Sequence, residues 1–374
     1  MQVPYRIMLL FGTRAEVLKL APIIQLMQNS PATWQPILVA TAQQDQQLFQ
    51  KTIEYLHFKV DFDIDARKVP VNNEVEQLSH LLHNLNNVIN AGQPDMILVA
   101  GDATTGLAAS LVSFYHRIPL GHVEAGLRTY QRYSPFPDEM NRRLTDDLAN
   151  LYFAPTAKAR DNLLREHHAA EKIYVTGNTS IDAVKKNLVD DYTNSLLEAI
   201  DDDHRIIMLT LRRQFNPGNI RQILHTMRDI VETNADVELI FPVYPAAEEL
   251  NLANEILADH KRIHLIEPMN HFDFINTAAR STLLVTDSGS IQEEAPALHK
   301  PVLLLRDSTE RQEAVDLGSV RLVGDDPTTI QQVIFELLNN EKVYRQMVSA
   351  TNPFGDGHAS ERILTIIEKY LATK

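Results

Sequence analysis

Short hydrophobic runs recur along the chain, and most are followed by a turn and by a segment with helical periodicity. In the first half these runs occupy residues 5–11, 36–41, 96–100, 120–123 and 152–154. The helical patterns that follow cover residues 16–28, 45–56, 104–116 and 156–165, whereas residue 123 leads into an irregular loop. Strands that alternate with helices in this way predict a parallel sheet with helices on both faces.

A second series of the same kind begins near residue 173. Its strands are predicted at residues 173–175, 206–210, 237–242, 263–266, 283–286, 302–305 and 321–323, with helices between them. The polar, acidic stretch 187–204 predicts an exposed helix and a loop. The Pro- and Gly-rich segment 352–357 predicts a crossing turn, after which we expect a last helix over 359–371 to pack on the first domain.

The pattern therefore predicts an α/β fold with two Rossmann-like domains that face a central cleft. The first domain is expected to cover residues 1–172 together with the C-terminal helix in 358–374, and the second to cover residues 173–357. A length of 374 residues suits two such domains. In folds of this kind substrates bind outside the carboxyl ends of the strands, so functional residues are expected in the strand-end loops.

Composition narrows the classes of function. The formal net charge of −14 argues against a general binder of nucleic acid or of membrane surfaces. The chain contains no cysteine, which excludes disulfides, thiolate zinc sites and cysteine nucleophiles. No run approaches the roughly 18 apolar residues of a membrane span. We therefore expect a soluble cytoplasmic protein.

The most informative segment is 286–294, which follows a predicted strand and opens a predicted helix. A Ser-Gly-Ser turn at a helix start presents free backbone N–H groups and the positive end of the helix dipole to an anion. Glu294, one turn further on, is an acceptor that suits a pair of sugar hydroxyls. Phosphate beside a diol indicates a nucleotide or a nucleotide sugar, although an ordinary helix cap would have the same pattern.

Acidic residues follow two of the predicted strands in the first half. Asp102 lies in a Gly-Asp-Ala-Thr run, Glu124 lies in a Gly-His-Val-Glu run, and Asp138 or Glu139 follows a pair of prolines. Carboxylates that converge in one cleft raise one another's pKa, which suits acid–base work on a weakly acidic C–H bond. The alternative is that they form helix caps and salt bridges.

Seven sequence strings occur in an order and spacing that resemble a known family. They are FGTRAEVLKLAPI, GHVEAGLRT, YSPFPDEMNR, VTGNTSIDA, TDSGSIQEEAP, KPVLLLRDSTERQEAV and NPFGDG. Together they resemble the non-hydrolysing UDP-N-acetylglucosamine 2-epimerases of bacteria over essentially the whole chain.

The resemblance implies a GT-B-like fold and the interconversion of UDP-N-acetylglucosamine and UDP-N-acetylmannosamine. It implies that UDP is eliminated as the C2 proton leaves, that 2-acetamidoglucal stays bound, and that UDP re-adds after C2 is protonated from the other face. Neither NAD, another cofactor nor a metal is expected. A homodimer and a place in cell-envelope polysaccharide biosynthesis are also implied.

Individual residues match the family's positions. The catalytic carboxylates correspond to Asp102, Glu124 and Asp138. The substrate-binding positions correspond to Arg14, Lys19, Arg212, Phe274, Ser288, Gly289, Ser290, Glu294 and Arg311. By resemblance Glu294 would hold the ribose and the Ser-Gly-Ser turn the phosphates, while Phe274 is expected either near the uracil or in the core. A second, regulatory UDP-sugar site would use Gln43 and Arg212.

The chain departs from the family pattern at several of these positions. Leu211 replaces a histidine counted among the catalytic groups, and loss of such a group typically costs about 10²–10⁴-fold in rate. Tyr244 replaces a histidine of the regulatory site, and Asp138 replaces a longer glutamate. Two alternatives follow: a UDP-sugar binding protein with weak or no catalysis, or an epimerase of a different nucleotide sugar. A GT-B glycosyltransferase is a further possibility, against which the three carboxylates argue.

Overall fold

The chain folds into two compact units, each built on one parallel sheet. The structure, a computed structural model, describes residues 3–42, 46–65, 73–211, 217–244 and 247–374. Unit 1 comprises Met1–Lys185 and Phe354–Lys374, and unit 2 comprises Lys186–Pro353. The α/β class with two Rossmann-like sheets is confirmed.

Seven parallel strands form the sheet of unit 1. In chain order β1 to β7 are Tyr5–Phe11, Trp34–Ala40, Phe62–Asp63, Met96–Ala100, Leu120–Val123, Leu151–Ala154 and Ile173–Val175. Their spatial order is β3-β2-β1-β4-β5-β6-β7. The sequence pattern assigned residues 173–175 to the second domain, but β7 pairs with β6, with Tyr174 opposite Phe153. A strand of three residues carries no signal that tells which sheet it joins.

Helices cover both faces of this sheet. They are α1 to α7, at Arg14–Gln28, Gln46–Tyr55, Glu74–Gly92, Thr104–His116, Asp138–Leu148, Ala157–Arg165 and Thr179–Asn187. Side chains of β1 alternate between the two faces: Ile7 and Leu9 lie in one buried cluster, whereas Met8 and Leu10 lie in the other. Because both faces are buried, β1 is a continuous hydrophobic run, as the sequence pattern predicted.

Unit 2 repeats the arrangement with six parallel strands. Its strands β8 to β13 are Arg205–Thr210, Val237–Pro242, Ile263–Ile266, Leu283–Thr286, Val302–Leu304 and Val320–Leu322, in the spatial order β10-β9-β8-β11-β12-β13. Its helices α8 to α15 are Ser195–Glu198, Pro217–Thr233, Ala247–Leu257, His271–Arg280, Gly289–Ala297, Gln312–Asp316, Pro327–Asn339 and Glu341–Val348. Among the described residues, no helix of either unit is long and apolar enough to cross a bilayer.

The last helix, α16 (Ala359–Leu371), belongs to unit 1. Ile363 and Ile367 lie in the same buried cluster as the β1 side chains. The carboxylate of Asp182 on α7 accepts hydrogen bonds from the first N–H groups of α16, at 2.7 Å from Ser360 and 3.2 Å from Ala359. These two hydrogen bonds satisfy N–H groups at the start of α16, which have no partner within the helix.

The first helix begins with a reciprocal capping box. The Thr13 hydroxyl accepts from the Glu16 N–H, and Glu16 Oε2 accepts from the N–H groups of Gly12 (2.9 Å) and Thr13 (2.8 Å). Glu16 is almost fully buried. Burial raises the pKa of this carboxyl to about 7, although the hydrogen bonds from Gly12 and Thr13 oppose the shift.

Glu16→Gln is expected to change how stability depends on pH. Because the folded-state pKa of Glu16 lies above the ordinary 4.5, its stabilising effect is complete below pH 4.5 and is lost as pH rises through about 7. Glutamine carries no charge, so the variant keeps its stability over this range, a difference of up to about 3 kcal/mol. Urea unfolding of both proteins at about pH 5 and about pH 8 measures it. Parallel losses in wild type and variant would contradict the assignment, and Glu54→Gln, at an exposed carboxylate of α2, is the matched control.

Candidate active site

Two of the predicted carboxylates lie at neighbouring strand ends in unit 1. β4 and β5 pair with Ala100 opposite Val123, and the Gly101 N–H extends the ladder by donating to the Val123 carbonyl at 3.0 Å. Asp102 and Glu124 follow directly. A Cβ atom placed on Gly101 would lie 3.9 Å from Glu124 Oε2. The sequence therefore brings these two acids to one edge of the sheet.

Asp102 is anchored from helix α5. Its Oδ2 accepts a hydrogen bond from Arg142 Nη2 at 2.6 Å, and its backbone carbonyl accepts one from Asn141 Nδ2 at 3.1 Å. The Arg142 side chain is 2% exposed, whereas that of Asp102 is 37% exposed. The carboxylate is thus fixed on one side and open to solvent on the other.

Asp138 is the first residue of α5 and is half-buried. Arg142 follows four residues later on the same helix, so α5 carries both the third predicted carboxylate and the cation that holds Asp102. Arg142 was missed in the sequence analysis. Its position four residues after Asp138, in the string YSPFPDEMNR, was the feature of the sequence that pointed to it.

Glu139 was the alternative to Asp138 in the sequence analysis, and its hydrogen-bond partners give it a structural role. Its carboxylate is fully buried and accepts from the N–H groups of Thr129 (2.9 Å) and Tyr130 (3.0 Å). It therefore fixes the loop between β5 and α5. Asp138 is the better candidate for chemistry because its side chain remains partly accessible.

Glu124 has an unusual backbone conformation for a residue with a side chain. Its φ is +70°, in the left-handed region that non-glycine residues seldom adopt. The buried carboxylate forms an ion pair with Lys19 Nζ of α1. Lys19 was assigned to substrate binding by resemblance, and the structure places its ammonium against Glu124.

The start of α1 lies at the same edge, because β1 pairs with β4. Arg14 is the first residue of α1, directly after the Gly12-Thr13 turn. Glu16, which sequence reasoning did not single out, lies close enough to Asp102 for the Asp102 charge to contribute to the raised pKa of Glu16. Arg14 therefore lies at the start of the helix after β1, at the same edge of the sheet as the loops that carry Asp102 and Glu124.

In unit 2 the predicted strand, turn and helix start are present. β11 ends at Thr286, Ser288 caps α12, and α12 begins at Gly289. The Ser288 hydroxyl makes no capping bond, and its N–H donates to Thr286 Oγ1 at 3.0 Å. The first N–H groups of α12, those of Gly289 and Ser290, have no partner within the helix, as at any helix start. The turn thus retains the donor geometry that suits an anion.

Arg311 lies against this turn. Its buried guanidinium donates from Nε to Glu293 Oε1 at 2.5 Å and also contacts Glu310. A Cβ atom on Gly289 would lie 2.9 Å from Arg311 Nη1, so glycine is the residue that permits this approach. The predicted pairing of a cation with the Ser-Gly-Ser turn is therefore present.

Glu294 is buried beside a histidine that sequence reasoning missed. His271 Nε2 lies 3.4 Å from Glu294 Oε1, and His271 Nδ1 lies 3.4 Å from Asn187 Nδ2. Phe274 follows on the same helix, α11, and is half-buried. The expected ribose and uracil positions thus lie on adjacent helices of unit 2. No string in the sequence marked His271.

The positions that depart from the family pattern have different surroundings. Leu211, directly after β8, is 1% exposed and belongs to the apolar core cluster of unit 2. Tyr244, two residues after β9, is half-buried. Gln43 and Arg212, assigned to a regulatory site, lie outside the described residues.

Comparison with known proteins identifies the family. The family model described as UDP-N-acetylglucosamine 2-epimerase matches residues 27–368. The UDP-N-acetylglucosamine 2-epimerase of Bacillus subtilis is 42% identical, covering 96% of this chain and 94% of the relative.

Solved structures agree with the sequence match. MnaA from S. aureus with UDP has a TM-score of 0.92 at 40% identity, covering 98% of this chain and 97% of that one. The Neisseria meningitidis UDP-GlcNAc 2-epimerase bound to UDP-GlcNAc has a TM-score of 0.91 at 36% identity, covering 97% and 100%. The chain belongs to the UDP-N-acetylglucosamine 2-epimerase family.

Proposed function

We propose that this protein interconverts UDP-N-acetylglucosamine and UDP-N-acetylmannosamine. The observation that carries the proposal is the set of acids in unit 1: Asp102 held by Arg142, and Glu124 held by Lys19, at adjacent strand ends. Relatives named for this reaction cover nearly the whole chain, which favours an enzyme over a protein that only binds UDP-sugars.

The reaction needs a base, an acid and a leaving group. A carboxylate takes the C2 proton, the C2–H electron pair forms the C1=C2 double bond, and the C1–O bond breaks as UDP leaves with its electron pair. Re-addition reverses these steps after a proton reaches C2 from the opposite face. We assign the proton transfers to Asp102, Glu124 and Asp138.

UDP binding is assigned chiefly to unit 2. The start of α12, Ser288 to Ser290, would hold the phosphates, with Arg311 supplying positive charge. Glu294 would accept from the ribose hydroxyls, and Phe274 would lie against the uracil. Arg14 of unit 1 is the proposed further phosphate ligand. The support is the orphan N–H groups of α12 and the Arg311 guanidinium that lies against Gly289.

Deuterium incorporation at C2 of UDP-N-acetylglucosamine in D₂O tests the reaction directly. Wild type is expected to exchange, and Asp102→Asn to lose about 10²–10⁴-fold in exchange rate because it cannot transfer the proton. Calorimetric UDP binding should survive in that variant, since the proposed UDP contacts lie mainly in unit 2. Asp161→Asn, at an exposed ion pair of unit 1, is the matched control. UDP binding by wild type without any exchange at high enzyme concentration would establish the binding-protein alternative instead.

Leu211→His probes the position where the family has histidine. The Leu211 side chain packs in an apolar cluster, so an imidazole there is expected to cost about 1–3 kcal/mol of stability without accelerating exchange. Thermal unfolding and the D₂O assay measure both effects. A rise of tenfold or more in exchange rate (about 1.4 kcal/mol off the barrier) would show instead that the leucine limits catalysis.

We infer that the protein is a homodimer through the end of α4. Phe114 and Tyr115 are 59% and 79% exposed there, with their rings in an edge-on contact at 5.6 Å, and adjacent exposed aromatics favour a protein interface. Light scattering should give twice the chain mass of 42.4 kDa, and a double Phe114→Ser, Tyr115→Ser variant should give the single mass. Tyr133→Ser, at another exposed aromatic, is the control. A monomeric wild type contradicts this inference.

The cellular setting is part of the same proposal. UDP-sugars are charged and do not cross a bilayer unaided, so an enzyme that consumes and releases them is placed in the cytoplasm, where it would supply cell-envelope polysaccharide biosynthesis.

A further inference from the structure

Both ring nitrogens of His122 face hydrogen-bond acceptors. The side chain, on β5, is completely buried. Nδ1 lies 2.6 Å from Asp146 Oδ1, and Nε2 lies 2.8 Å from the carbonyl oxygen of Gly101. A carbonyl oxygen can only accept. Nε2 is therefore the donor in this contact, which fixes the orientation of the ring.

Asp146 is placed to act as an acceptor on both oxygens. Its Oδ2 accepts from Arg128 Nη2 at 2.7 Å and from the Gly126 N–H at 3.2 Å. Burial opposes ionisation of this carboxyl, but His122 and Arg128 hold its pKa below the ordinary range.

Arg128 links Asp146 to a second carboxylate. It also donates to Glu166, from Nη2 at 2.6 Å and from Nε at 2.9 Å. Arg143 Nε lies 3.9 Å from Glu166, so two guanidinium groups face the two carboxylates of this cluster.

Two further groups lie at its edge. His168 Nε2 is 3.9 Å from Glu166 and 3.8 Å from Asp147. Burial raises the pKa of the Tyr152 phenol to about 12, so this group remains neutral.

His122 acts on the backbone of the catalytic loop through the Gly101 carbonyl. That carbonyl belongs to the peptide group on the N-terminal side of the Asp102 Cα atom, and the peptide group on the other side is held by Asn141. Because each peptide group is planar, fixing both planes fixes φ and ψ of Asp102 and hence the direction of its side chain. Arg142 then selects the carboxylate position.

We propose that His122 is a positioning residue, whose Nε2–H fixes the Gly101 carbonyl so that Asp102 is aimed at the substrate carbon. The inference rests on the proposed function, in which Asp102 transfers a proton. His122 itself touches neither substrate nor reacting atoms, since its ring is enclosed between Asp146 and the Gly101 carbonyl.

Two amide substitutions at His122 test the contacts of Nδ1 and Nε2 separately. In His122→Gln the amide nitrogen can reach the Nε2 position and donate to Gly101, whereas in His122→Asn it reaches only the Nδ1 position near Asp146. We expect His122→Asn to lower kcat for C2 exchange about 10²-fold at unchanged KM, because misplacement by about 1 Å costs that much. His122→Gln should stay within about tenfold of wild type, and His168→Gln, in the same cluster but without contact to Gly101, should match wild type.

Equal rates in His122→Asn and His122→Gln, whether at or below wild type, or losses confined to KM, would rule out the positioning role. Calorimetric UDP binding and thermal unfolding of each variant show whether the fold is intact. If wild type itself exchanges no deuterium, the proposed function fails separately.

The proton on Nε2 is observed in the wild type without turnover. Nitrogen-15 NMR of histidine-labelled protein, with the His122 signals identified by their loss in His122→Gln, should show an N–H group at Nε2, the nitrogen that faces the Gly101 carbonyl. An unprotonated Nε2 would overturn the proposal.

Discussion

The candidate site depends on balancing several carboxylates that the fold brings to one edge of a sheet. Asp102, Glu124 and Asp146 lie within a short stretch of strand ends and helix, and the last two are buried. Unpaired buried charges cost several kcal/mol or change protonation state. Arg142 and Lys19 are the cations for Asp102 and Glu124, and Asp146 shares Arg128 with Glu166. The positive partners therefore allow the acids to coexist.

Strand order explains why these residues meet. β1, β4 and β5 are neighbours although their residues are far apart in the chain, so the α1 start and the loops after β4 and β5 share one edge. Polar chemistry at this edge is compatible with a dry interior because most side chains of the strands below are apolar. The left-handed backbone of Glu124 is tolerated because pairing of β5 with β4 and β6 holds the strand on both sides.

Local patterns predicted most of the strands and the last helix, because buried parallel strands are continuous apolar runs. Helix α3 was missed, and β7 was placed in the wrong sheet, since neither its length nor its periodicity decides pairing. The acids were found because they lie in motif strings. The hydrogen-bond partners were harder to predict. Arg142 is 40 residues from Asp102, and only the folded chain shows that His122 contacts Gly101. Long-range pairing of this kind leaves no local signal.

The return of α16 has a consequence for synthesis of the protein on the ribosome. Ile363 and Ile367 complete an apolar cluster whose other members include strand β1, near the beginning of the chain. While residues 186–353 emerge from the ribosome, that cluster still lacks the side chains of α16. Unit 2 has all of its own strands before α16 is synthesised. The nascent unit 1 must therefore keep apolar surface covered by other means, such as a chaperone, until translation is nearly finished.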